Sequence, residues 1–213
     1  MSYVVLARRL RPSRFDDLIG QETTAQTLRN AVLADRVAHA FLFSGSRGVG
    51  KTSAARILTR ALNCLNPDNG DPCNSCENCV EINQNASPDV YEIDAASNRG
   101  IDNIRELREN VNYVPARCRY KVYIIDEAHM LTLESFNALL KTLEEPPSYV
   151  KFIFATTEPH KIPQTIISRC QRYDFLRIPI KTMADFLEKV VQNEKLELTR
   201  KAIEMIARNS VGG

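Results

Sequence analysis

The sequence predicts an α/β fold with a parallel sheet organised around a phosphate-binding loop, on three observations. Gly45-Ser46-Arg47-Gly48-Val49-Gly50-Lys51-Thr52 has the spacing of a glycine, four residues and then Gly-Lys-Thr. An apolar run of strand length precedes it at residues 40–44, and Ala54, Ala55, Leu58, Ala61 and Leu62 follow at helical spacing without Pro or Gly. Further on, Lys121-Val122-Tyr123-Ile124-Ile125-Asp126-Glu127-Ala128-His129 is a second apolar run, ending in two acids. Uninterrupted apolar strands are those buried on both faces of a sheet, and ligands of open α/β sheets bind at the strands' carboxyl ends.

Strand, glycine loop and helix together cradle a triphosphate. Gly45, Gly48 and Gly50 let the loop's N–H groups turn inward, and the helix starting near Lys51 points its positive end at the same anion. Lys51 is expected to reach the β- and γ-phosphates and Thr52 to hold Mg²⁺, with Ser46, Arg47, Val49 and Ser53 completing the nucleotide-binding set. Asp126 is expected to coordinate Mg²⁺ through water and Glu127 to polarise the attacking water, since successive strand residues face opposite ways.

Composition narrows the alternatives. The 213 residues are 44% hydrophobic and 25% charged, an ordinary globular balance. Lys and Arg number 28 against 26 Asp and Glu, so bulk charge draws the chain neither to DNA nor to a membrane. No apolar run approaches the roughly 20 residues that span a bilayer. Residues 1–9 lack the apolar core and cleavage site of a signal peptide, and the expected location is cytoplasmic.

In chain order, residues 8–21 mix basic and apolar side chains. Their arginines are either a solvated stretch or neighbours of the nucleotide. A helix follows, capped at Thr23 or Thr24, with Ala25, Leu28 and Val32 inward. After Leu62 the pattern dissolves into Asn, Asp, Pro, Gly and Cys until Pro88. Residues 89–94 alternate as a strand, and Ile101, Ile104, Leu107, Arg108 and Val111 continue at helical spacing. Phe136, Leu139, Leu140 and Leu143 mark a helix halted by Pro146-Pro147. Residues 150–155 form another buried strand ending in Thr156-Thr157, and 172–175 a last one. Beyond Pro179, Thr182 is expected to cap a helix with Met183, Phe186, Leu187, Val190 and Val191 inward. A second helix starts at Thr199, with Ala202, Ile203, Ile206 and Ala207 inward.

Four of the six cysteines, Cys64, Cys73, Cys76 and Cys79, fall in the irregular stretch. A tetrahedral Zn²⁺ takes four thiolates at about 2.3 Å, and Cys-x2-Cys turns present pairs of sulfurs. A closed site of this kind has no open position, so it is structural. An iron–sulfur cluster uses the same donors, and accidental clustering is the remaining alternative.

The segments Arg8-Arg9-Leu10-Arg11-Pro12, Phe15-Asp16-Asp17-Leu18-Ile19-Gly20-Gln21, the cysteine loop, Asp126-Glu127-Ala128-His129, Leu143-Glu144-Glu145-Pro146-Pro147 and Ser168-Arg169-Cys170 closely resemble the gamma/tau subunits of bacterial DNA polymerase III, the ATPases of the AAA+ clamp loader. The resemblance runs from Tyr3 to Gly213. It implies a P-loop NTPase of AAA+ type over residues 1–178, with a five-stranded parallel sheet and a zinc-binding insertion at about 63–82. A helical lid would begin at 179–213. It also implies ATP with its adenine near Ala7, Arg11, Pro12 and Ile19, Thr157 as γ-phosphate sensor beside Thr156, and Arg169 as a finger acting on a neighbour's ATP. The implied partners are delta, delta prime and further gamma/tau copies, the sliding clamp and primed DNA, with no membrane. A lid arginine and a collar domain of the family lie past Gly212-Gly213, which implies weak ATPase activity and a monomer for these residues alone. A related AAA+ motor would share the phosphate loop, but the four cysteines and Ser168-Arg169-Cys170 fit it poorly. A non-hydrolysing scaffold is hard to reconcile with Lys51, Thr52, Asp126 and Glu127 together.

Overall fold

A computed structural model describes residues 6–98, 100–210, 212 and 213, except for the side chains of 7, 8 and 101–103. A short helix α1 (Leu6–Arg9) precedes α2 (Glu22–Leu33), and β1 (Ala40–Gly45) runs through the phosphate loop into α3 (Lys51–Asn63). Next come α4 (Glu77–Asn83), β2 (Val90–Asp94), α5 (Ile101–Asn110), β3 (Lys121–Asp126) and α6 (Leu133–Glu144). The chain continues through β4 (Val150–Thr156), α7 (Gln164–Ile167), β5 (Gln171–Phe175), α8 (Ile180–Asn193) and α9 (Arg200–Asn209). Among the described residues, no helix is long and apolar enough to cross a membrane.

The five strands form one parallel sheet in the order β2-β3-β4-β1-β5. Alternation along each strand divides the core in two. Phe41, Phe43, Val122, Ile124 and Ile153 point to the face covered by α2 and α3, where they meet Leu28, Ala55 and Leu58. Leu42, Tyr123, Ile125, Phe152 and Phe154 point to the other face, against Ile104, Leu107, Phe136 and Leu139 of α5 and α6. Because helices cover both faces, the central strands carry no polar alternation, as their sequence implied. Met183 and Ala184 of α8 pack on Ile203 and Ala207 of α9 in a third, smaller cluster.

Several local expectations are corrected. Helix α2 starts at Glu22, not at Thr23 or Thr24, because Gln21 at its N-cap is recruited elsewhere: its amide brackets Leu176, donating to the carbonyl at 2.7 Å and accepting from the N–H at 3.1 Å. Helix α8 starts at Ile180 after Pro179, so Thr182 lies inside it and caps nothing. The stretch between Leu62 and Pro88 contains α4, whose buried positions are Asn78, Cys79 and Ile82. Ile206 is exposed on α9 while Ile203 and Ala207 are buried, since α8 covers a narrower stripe than the apolar pattern offers. Thr199 does cap α9, accepting from the Ala202 N–H at 3.3 Å.

Entry into β3 depends on one buried acid. Asp89, 1% exposed, accepts from the N–H groups of Ala116, Arg117 and Cys118 at 2.7, 2.7 and 2.9 Å, closing the loop that delivers the strand. Asp89→Ala should leave those donors unpaired and cost about 1–3 kcal/mol. A lower urea midpoint at unchanged m-value would report it.

Candidate nucleotide site and four-cysteine cluster

Three strand ends build the site. Strand β1 delivers the glycine loop, β3 delivers Asp126 and Glu127, and β4, paired between them, delivers Thr156 and Thr157. Gly45 has no room for a side chain, since a Cβ there would stand 2.4 Å from the Phe175 carbonyl oxygen of β5. Gly50 takes φ 102° at the N-cap of α3, a conformation closed to most residues with a Cβ, and so exposes the first-turn N–H groups.

Lys51 is 6% exposed and curls back over the loop, its Nζ donating to the carbonyls of Gly45 at 2.9 Å and Ser46 at 2.7 Å. Burial pushes its pKa below the ordinary lysine value, and the Glu127 and Asp126 carboxylates offset part of that. Thr52 Oγ1 donates to Asp126 Oδ2 at 2.7 Å, so the residue after the lysine touches the acid across the sheet's edge. The other Asp126 oxygen accepts from the Glu127 N–H at 2.9 Å.

Glu127 stands in the left-handed region at φ 48°, a strained conformation for a residue with a Cβ. The turn aims its carboxylate at β4, where Thr157 Oγ1 donates to Oε2 at 3.2 Å. His129 Nδ1 lies 3.5 Å from the same oxygen and 3.1 Å from Thr156 Oγ1, which also accepts from the Glu158 N–H at 3.0 Å. The pair Thr156-Thr157 and the pair Asp126-Glu127 therefore form one polar network.

Two residues here had no assigned role in the sequence. His129 was part of the acidic run, but nothing in its spacing marks it as the link between Glu127 and Thr156. Arg177, just past β5, donates from Nε to Ser46 Oγ at 3.2 Å. With Ser46, Arg47, Gly48, Ser210 and Gly213 it lines a cleft of about 430 Å³ beside the phosphate loop. Its only advance signal was position after the last strand.

Other expected residues are distributed more widely. Val49 is buried and Ser53 half-buried. Arg11 and Pro12 line a separate cavity of about 710 Å³ with Arg9, Ser13, Arg56 and Arg60, not the cleft beside the loop. Ile19 is half-buried between Leu18, which approaches Gly50, and Gly20, which approaches Ile178. The Ala7 side chain lies outside the described residues. Arg169 sits just before β5, whose first residue pairs with Phe41, whereas the phosphate loop leaves the sheet at Gly45, opposite Phe175. It therefore stands at the far edge of the sheet from its own loop, donating to Glu144 at 2.6 Å and to the Thr165 carbonyl at 2.7 Å.

The four expected cysteines do converge. The Sγ atoms of Cys64, Cys73, Cys76 and Cys79 all lie within 4.8 Å of one another, and Cys64 and Cys76 are 4.0 Å apart. Tetrahedral bonds of about 2.3 Å imply sulfurs about 3.8 Å apart, so the donor set fits a four-coordinate metal. The N–H groups of Cys73 and Cys76 donate to the sulfurs of Cys64 and Cys73 at 3.3 Å each. Burial pushes the Cys73 thiol up, but donors from Ser75 and Cys76 outweigh it and bring it down to about 6, whereas burial pushes the Cys64 and Cys79 thiols up. Cys118 and Cys170 stand outside the cluster as free thiols.

The family model described as DNA polymerase III, delta subunit, matches residues 20–179. The DNA polymerase III subunit tau of Bacillus subtilis is 53% identical over 213 residues, which is 100% of this chain and 38% of that protein. The Escherichia coli subunit tau is 49% identical over 212 residues, 100% of this chain and 33% of that one. The subunit gamma of Buchnera aphidicola is 43% identical over 212 residues, 100% of this chain and 57% of that one. The chain thus spans about a third to somewhat over half the length of these relatives. Among solved structures, the RuvB Holliday junction branch migration motor of Thermotoga maritima superposes over 93% of this chain and 59% of that one. Its TM-score is 0.63 at 19% identity, which shows a shared fold. A DNA polymerase III gamma subunit-related protein of the same organism covers 85% of this chain and 57% of that one, with a TM-score of 0.50 at 24% identity. The chain belongs to the DNA polymerase III subunit family that this model describes, and gamma and tau subunits match it along its whole length.

Proposed function

We propose that the chain is the ATP-binding and ATP-hydrolysing part of a gamma/tau subunit of the bacterial replicative clamp loader. Residues 1–178 would form the nucleotide-binding domain and 179–213 would belong to a helical lid. In the cytoplasm it would assemble with delta, delta prime and further gamma/tau copies, and use ATP to open the sliding clamp and load it on primed DNA. One observation carries this reading: the 2.7 Å bond from Thr52 to Asp126, which joins the phosphate loop to the acid of another strand. A glycine loop without that partner would bind an anion and do no more.

Lys51 would exchange the Gly45 and Ser46 carbonyls for β- and γ-phosphate oxygens, trading neutral acceptors for charged ones. Thr52 and Asp126 would hold Mg²⁺, which would supply positive charge against the negative charge developing on the phosphates. Glu127 would orient the attacking water and take its proton, its carboxylate steadied by Thr157 and His129. Thr157, with Thr156 beside it, would sense the γ-phosphate through the hydroxyl that now donates to Glu127. The base would lie toward Ala7, Arg11, Pro12 and Ile19. Arg169, remote from its own loop, would act on the ATP of a neighbouring subunit, so that turnover depends on how the subunits pack. Cys64, Cys73, Cys76 and Cys79 would hold a structural Zn²⁺.

Lys51→Ala should abolish ATP binding by this chain in equilibrium titration, while Glu127→Gln should bind ATP normally and hydrolyse it at least about 100-fold more slowly. Unchanged affinity in the first variant, or normal turnover in the second, would remove the assigned roles. In a loader assembled with its partner subunits, Arg169→Ala should leave ATP binding intact and slow hydrolysis by about 10³-fold or more; persistence of turnover would end the trans role. Elemental analysis of purified protein should find about one zinc per chain, and iron or no metal would overturn the zinc assignment.

A further inference from the structure

Arg60 is 4% exposed, on the far half of α3 from Lys51. Its Nη2 donates to the Ser13 carbonyl at 3.1 Å and its Nη1 lies 3.5 Å from Asn83 Oδ1, while Nε has no partner. Every acceptor it meets is neutral. Among the described residues no carboxylate pairs with it, although Arg56, one turn earlier, is clamped by Glu92 at 2.8 and 2.6 Å. A buried cation without an anion is strongly unfavourable, so something else must balance its charge.

A source of negative charge is offered by the cysteine cluster, since α3 packs on α4, which carries Cys79. Asn83 lies four residues after Cys79 on α4, one turn along the same helix face, so Arg60 lies against the face that presents Cys79. Cys79 is fully buried. Burial lowers the Arg60 pKa, the Cys79 sulfur raises it, and Arg56 lowers it further. Four thiolates around one divalent ion retain net negative charge.

We propose that Arg60 is the counter-cation of the four-cysteine metal site, held beside Cys79 by Asn83 and Ser13 to balance the charge of the metal–thiolate group. The inference rests on the reading of that cluster as a metal site. It makes Arg60 a positioning and charge-balancing residue, outside the nucleotide chemistry.

The test uses zinc itself. Affinity is measured by competition with a chromophoric chelator, and melting temperature is measured for zinc-loaded and chelator-stripped protein, for wild type, Arg60→Met and Arg60→Lys. Arg60→Met should bind zinc about 10–100-fold more weakly. Its loss of melting temperature relative to wild type should be larger in the loaded protein than in the stripped one. Arg60→Lys keeps the charge and should recover most of the affinity. If wild type binds no zinc, the metal reading fails and this inference with it. If wild type binds zinc and Arg60→Met binds it equally well, only the inference is overturned. Arg60→Lys as weak as Arg60→Met would also overturn it, because packing and hydrogen bonding would then be the whole role.

Discussion

The hydrogen bond between Thr52 and Asp126 is the constraint on which the site depends, because Thr52 opens the helix that follows β1 and Asp126 ends β3, and these strands are not neighbours. β4 separates β1 from β3, so the loop and the acid can meet only beyond the carboxyl end of β4. That end is Thr156, fully buried, followed by Thr157. The parallel arrangement brings all three strand ends to one edge, and the order of strands places the two threonines between loop and acid. A displacement of β4 by one residue would reverse its side chains and point its polar end into the core.

The same edge concentrates charge that the sheet interior could not tolerate. Lys51 and Asp126 are held by carbonyl, hydroxyl and amide partners supplied by the loop and turn, with no long ion pair bridging them. Glu127 adds backbone strain, since its left-handed conformation turns the carboxylate away from Asp126 and toward Thr157 and His129. That separation gives two adjacent acids different surroundings, one at the N-terminus of α3 and one at the end of β4. Different surroundings would let one carboxylate bind a metal and the other handle a proton, as the proposed ATPase chemistry requires.

How much of this was legible in the sequence varied with the source of each feature. Central strands and their flanking helices announced themselves because burial on both faces leaves only apolar residues, and Phe41 to Phe43 or Tyr123 to Ile125 admit little else. The phosphate loop and the four cysteines were legible because their chemistry demands fixed spacings. The start of α2 was not, since the Gln21 side chain is committed to Leu176, over a hundred residues away. Helix α4 was hidden because its buried face consists of Asn78, Cys79 and Ile82, which no apolar periodicity reveals. His129, Arg177 and Arg60 were also silent, as their partners come from other strands and helices.

Helix α3 joins the two sites. Its first turn carries Lys51 and Thr52, and its last residue, Asn63, precedes Cys64. The 13 residues between the loop and the cluster span about 20 Å. At the far end the helix's terminal carbonyl is taken up by the cysteine segment, since Asn78 Nδ2 donates to the Asn63 carbonyl at 2.9 Å. The Asn63 side chain meanwhile pairs with both backbone groups of Tyr120, next to the start of β3. The cluster thus stabilises the end of α3 that would otherwise fray, and Asn63 fixes that end against the strand that delivers Asp126. Thr52 and Asp126 are therefore registered twice, directly at the sheet's edge and again through Asn63 and Tyr120 at its base. The cysteine segment, remote from the glycine loop, thus helps to fix the end of α3 against the strand that carries Asp126.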